Sequence, residues 1–198
     1  MKFNTKLLLG SSIILSVFYS CNSESNTDST SSNSEASNRL HFSFKTPDWE
    51  RWVDCDLDFP ANAKNDSTNI ISFYSASTKA ALCFTYPKDS SKIVKNRELK
   101  KYKIKSYLDN EEPFQFSQKL PLDQNSLDDL SKKLVSNEGF SDEEYNQVTE
   151  VKYIKSETNY SIFRVKCSYK LKARIISTPE ISKPVSGTFT FLVRTTKI

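Results

Sequence analysis

The chain has 198 residues, with 28 lysines and arginines against 24 aspartates and glutamates, one histidine and three glycines. The small net charge gives no reason to expect nucleic acid as a partner, and so few glycines exclude a glycine-rich phosphate loop, a dinucleotide fingerprint or a nucleophile elbow. A lone histidine excludes multi-histidine zinc sites. Neither a metal nor a cofactor is expected.

Lys2 and Lys6 open the chain, an apolar run follows from Leu7 to Tyr19, and Ser20 and Cys21 close it before a stretch of small polar residues. This layout predicts a secretory signal peptide over 1–20, because the apolar core is shorter than the ~20 residues of a membrane span. The tetrad Phe18, Tyr19, Ser20, Cys21 resembles the cleavage motif of bacterial lipoproteins, matching it at the last two positions and bulkier at the first two. The resemblance covers residues 1–21 only. It implies that Cys21 becomes the acylated mature N-terminus, palmitate included, and several acyl chains on one residue hold a protein durably to a bilayer. Asn22, rather than Asp, then points to the outer membrane of the cell envelope. Removing the signal leaves 178 residues and a net charge of +2.

Residues 21–38 are the lipidated cysteine and a tether of Ser, Asn and Thr whose only apolar side chain past Cys21 is Ala36. Such a segment cannot bury enough surface to offset its ordering entropy. As a coil it spans roughly 20–25 Å. A folded domain is expected over 39–198. Leu40 to Lys45 alternates as a strand, and Pro47 opens a turn carrying Trp49 and Trp52. Over 52–59, Val53, Cys55, Leu57 and Phe59 oppose Asp54, Asp56 and Asp58, the pattern of a half-buried strand. Asn69 to Ser75, Ala80 to Tyr86 and Lys101 to Leu108 read as further strands, with a loop over Pro87 to Lys92.

Ser126 followed by Asp129 resembles a capping box ahead of the stripe Leu127, Leu130, Leu134, and Gly139 offers a stop, so a helix is predicted over 126–138. A helical turn is expected at Ser141. Near the C-terminus Phe163, Val165, Cys167, Tyr169, Leu171, Ala173 and Ile175 share one face of a long strand, opposite Arg164, Lys166, Ser168, Lys170, Lys172 and Arg174. A slip of one residue would bury the cations, so the register is fixed. Val148 to Lys155 and Thr188 to Thr195 are its expected antiparallel neighbours, with Pro179 and Pro184 as breaks. The expected fold is a single α+β, β-dominated domain with a largely antiparallel sheet and one or two short helices, or alternatively an all-β sandwich. A helix followed by long strands loosely resembles cystatin-like and NTF2-like topologies.

Arg164, Lys166, Lys170, Lys172 and Arg174 form the candidate contact for an anion or a partner, against a solvated face or one paired with the Asp54, Asp56, Asp58 row. Trp49 and Trp52 form a candidate stacking platform, against a role capping the core. The aspartate row fails as a calcium loop, since Phe59 stands where glycine is required and Asn65 where glutamate is required. His41 reads as structural or exposed. Cys55, Cys83 and Cys167 read as buried thiols or as one bridge and one thiol. Taken together, the expectation is a lipid-anchored cell-envelope protein with a non-enzymatic binding or assembly role toward an envelope protein or an anionic glycan. Alternatives are an envelope inhibitor or immunity protein and a small carboxylate-dependent hydrolase.

Overall fold

The computed structural model describes residues 20–21, 39–54, 62–63, 68–95, 101–107, 109 and 115–196. Its long strands are β1 (His41–Lys45), β2 (Glu50–Asp54), β3 (Thr68–Ser75) and β4 (Ala81–Pro87), then a short helix α1 (Ser90–Lys95). After these come β5 (Phe116–Pro121), β6 (Lys133–Ser136), β7 (Tyr145–Ser156), β8 (Tyr160–Ile175) and β9 (Ser182–Thr196). They form one antiparallel sheet in the order β3-β4-β5-β6-β8-β9-β1-β2, with β7 lying on the same side of β8 as β6. Two-residue segments add to it: Lys101–Tyr102 against β7, Asn62–Ala63 against β3, and Ser20–Cys21 parallel to Tyr74 and Ser75.

The sheet curls on itself. Thr196 N donates to Lys88 O at 2.9 Å and Asn69 Nδ2 to Arg194 O at 3.2 Å, tying β9 to β3 and β4 although other strands separate them in the ladder. The curl lets alternate residues of every strand point inward. Phe84 of β4 meets Phe189 and Phe191 of β9 edge to face, with centroids 5.3 and 5.5 Å apart. Phe116 lies over Tyr169 at 4.5 Å. Edge and offset contacts of this kind are worth ~0.5–1.5 kcal/mol each beyond the area they bury. β8 follows its alternation, with Phe163 to Ile175 buried at every second position.

The architecture is all-β more nearly than α+β, and the 126–138 helix is corrected. Asp123 caps a single 3-10 turn, Gln124–Ser126, with Ser126 as the third residue of a capping box rather than its start. Asp129 caps a second turn, Leu130–Lys132, and its carboxylate accepts from Ser131 N at 2.9 Å. Aspartates that bind their own chain two residues on hold the backbone out of helix. From Lys133 the chain is a strand, in which Leu134 is buried between Leu120 and Ile175 while Leu130 is 66% exposed. The buried Lys133 ammonium donates to the carbonyls of Ser126 and Leu127, taking the place of helical amide donors. Burial lowers its pKa. Without that helix the topological likeness to cystatin-like and NTF2-like folds has no support.

Smaller corrections follow from pairing. The Ser141 segment is a turn closed by Ser141 N to Glu144 O at 2.9 Å, not a helix. Part of the Pro87 to Lys92 loop is α1. Pro184 lies inside β9 opposite Lys172, where β9 has not yet reached β1, so its missing amide interrupts no bond to β1. The strand expected over 101–108 narrows to Lys101–Tyr102 and a bridge at Ile104. The sandwich alternative gives way to one continuous curled sheet. The signal peptide apart from Ser20, the tether past Cys21, and Cys55 with Asp56 and Asp58 lie outside the described residues.

Candidate binding face

The outer face of β8 carries the basic row, and its neighbours divide it in two. Glu150 of β7 stands opposite Lys166. Its carboxylate is 3.1 Å from Arg164 Nη2 and 3.2 Å from Lys166 Nζ. Partial burial works to raise its pKa, and the two cations outweigh that and hold it below the usual value. A β-bulge makes this contact. Val148 pairs with Cys167 and Glu150 with Lys166, so Thr149 is the extra residue that turns the carboxylate to the outer face. Sequence reasoning offered only the Asp54 row as acidic neighbours, as an alternative to a solvated face, because a bulge leaves no mark in simple alternation. Asp54 lies three strands away across the sheet, paired with Arg39 at 3.7 Å.

Lys170, Lys172 and Arg174 are different. All three are exposed. Across from them on β9 stand Ser186, Pro184 and Ser182, and on the other side Lys170 and Arg174 face Tyr145 and Val135. Among the described residues no acid pairs with them. Lys101 is engaged by Asp142 at 2.8 Å and lies over the Tyr145 ring. Lys105 is engaged by Asp109 and Glu138.

Trp49 and Trp52 do not form one platform. Trp49 turns to the core and meets Phe44 edge-on at 5.0 Å. Trp52 is 41% exposed on the outer face, stacked on His41 at 3.7 Å and donating from Nε1 to Asp54 Oδ1 at 2.8 Å. His41 is buried. Its Nδ1 donates to Arg39 O at 2.9 Å, which leaves Nε2 to accept from the Thr188 hydroxyl at 2.9 Å. Burial lowers its pKa, against the opposing pull of the Arg39 carbonyl and Asp54. His41 is thus held in one tautomer by the Arg39 carbonyl and the Thr188 hydroxyl.

Cys83 and Cys167 are buried, and burial pushes the Cys167 thiol pKa well up. Among the described residues no aspartate or glutamate is buried, and no group of three or more His, Cys, Asp or Glu could hold a metal ion. No helix among them is long and apolar enough to cross a membrane. No protein-family model, curated protein or solved structure matches the chain.

Proposed function

We propose that this protein is a lipid-anchored component of the bacterial cell envelope, of the outer membrane, that binds a partner without transforming it. The observation carrying this reading is the N-terminal sequence: two lysines, an apolar run, then Ser20 and Cys21 ahead of a polar tether. Tyr169, Phe189, Phe84 and Phe116 fill the inside of the curled sheet, and its cations lie outside on a strand face. An arrangement of that kind favours a surface contact over a carboxylate-dependent hydrolase, which needs two close carboxylates in a recess. Replacing Cys21 by Ala tests the anchor. The variant should leave the membrane fraction, and the natural protein should carry acyl chains on its N-terminal cysteine by mass spectrometry. Unchanged fractionation, or an unmodified sulfur, defeats the reading.

One observation favours the second reading, an inhibitor or immunity protein. Beyond Gln147, β7 has only β8 beside it among the described residues, and Tyr153 and Ile154 stand exposed along it. An open strand of this sort is suited to docking against an enzyme. Capture of an envelope enzyme that is lost on Tyr153→Lys with Ile154→Lys would favour it.

A further inference from the structure

Glu150 pairs with both Arg164 and Lys166 and offsets one of their two charges, and Asp142 pairs with Lys101, so among the described residues the cations of β8 that meet no acid are Lys170, Lys172 and Arg174 in single file. Alternate residues of a strand lie ~6.8 Å apart, so the three charges form a straight row about 14 Å long. Beside it, β9 presents Ser186, Pro184 and Ser182 in register, short side chains that leave a flat shelf carrying two hydroxyls. Ser168 extends the row by one more hydroxyl.

We propose that this row and shelf bind an acidic polysaccharide lying along β8, its carboxylates or phosphates on Lys170, Lys172 and Arg174 and its hydroxyls on Ser182 and Ser186. The proposal rests on the envelope-binding reading above and names the partner. Charge complementarity selects a linear polyanion over a bilayer surface. An anionic bilayer rewards a broad field of cations, whereas here Glu150 offsets one of the two charges of Arg164 and Lys166, and Asp142 offsets that of Lys101. The mixture of cations and small hydroxyls selects a glycan over a polymer that offers charge alone.

The test uses the chain from residue 21 onward with Cys21→Ser, so lipidation plays no part. Polygalacturonate, dextran of equal length, and vesicles of phosphatidylglycerol or phosphatidylcholine are titrated at low and high salt. Polygalacturonate should bind in a salt-sensitive way, and dextran more weakly. The triple variant Lys170→Glu, Lys172→Glu, Arg174→Glu should bind about tenfold more weakly, while a control with the same charge change, Lys88→Glu, Lys92→Glu, Lys95→Glu, should lose less than about threefold. Circular dichroism checks that both variants fold. No binding, equal loss in both variants, or binding to phosphatidylglycerol vesicles without binding to the polymer overturns the proposal. Failure of the anchor would show only in the Cys21→Ala fractionation and would leave this titration unchanged.

Discussion

The hydroxyl of Tyr169 donates to the backbone carbonyl of Ser43 at 2.9 Å, reaching it over Gly187. The ladder between β9 and β1 pairs Ser186 with Lys45 and Phe189 with Phe42, and the tyrosine hydroxyl bonds to β1 in the interval between those pairs. Gln118 Nε2 completes the arrangement by donating to the same hydroxyl at 2.8 Å. A tyrosine of β8 thus reaches past its partner strand to hold the next one, and the middle strand needs a residue without a side chain at that point. A Cβ on Gly187 would stand 2.1 Å from Ser43 O and 2.6 Å from the tyrosine oxygen.

Gly187→Ala should therefore destabilise the fold by about 2–3 kcal/mol, because neither the backbone carbonyl nor the buried phenol can yield. Tyr169→Phe, which removes the hydroxyl and leaves its partners unsatisfied, should cost about 1–3 kcal/mol. Urea denaturation of both variants checks this. A Gly187→Ala midpoint equal to wild type would show that β9 and β1 separate freely at this point.

His41 predicts a pH dependence. Its folded pKa lies below the ordinary 6.5, chiefly through burial. Above that value both folded and unfolded chains hold it neutral and it contributes nothing to the slope. As pH falls through about 6.5 the unfolded state takes up a proton that the folded state resists, so stability falls with pH until the lowered native pKa is reached. The charged groups around the ring are Arg39, Asp54 and Lys166. His41→Asn should flatten the change in urea midpoint between about pH 7 and pH 5. A wild-type curve already flat there would contradict the buried neutral ring. Glu150, whose pKa is lowered, loses its contribution separately, as pH falls from the ordinary carboxylate range through its own folded value.

Glu150→Gln should cost about 0.5–1 kcal/mol, and high salt should shrink the difference, since the ion pairs are partly exposed. In the polygalacturonate titration the same variant should bind more tightly, as Arg164 and Lys166 are released to join the row. Unchanged binding would show that the polymer ends at Lys170.

Leu130 and Leu134 separate strand from helix in solution. The exposed Leu130 should tolerate Gln within about 0.5 kcal/mol, whereas Leu134→Ala should cost about 2–4 kcal/mol by leaving a cavity between Leu120 and Ile175. Equal losses at the two positions would restore an amphipathic helix and contradict the strand.

Much of the sheet was legible because burial in a strand is a local, period-two property. The alternation of Phe163 to Ile175 alone gave β8 its face and its register. The 126–138 segment misled for an equally local reason. Leucines spaced three and four apart fit a helix, while Asp123 and Asp129 compete by binding their own backbone, and no short-range pattern shows which wins. Burial of Leu134 against β5 and β8 decides it. The candidate face was half legible: the sequence named its five cations, but not the bulge at Thr149 that brings Glu150 to two of them.

The sequence by itself determined a β-rich body and the inward and outward residues of its longest strand, while its N-terminal pattern carries the anchor proposed above. Beyond the two antiparallel neighbours expected of β8, the tertiary structure alone decided which strands pair, and with that which charges meet acids and which tryptophan faces outward. The physical reason is range. Alternation and turn chemistry act over a few residues, whereas the meeting of Tyr169 with Ser43, or of Trp52 with His41, depends on how the sheet curls and pairs.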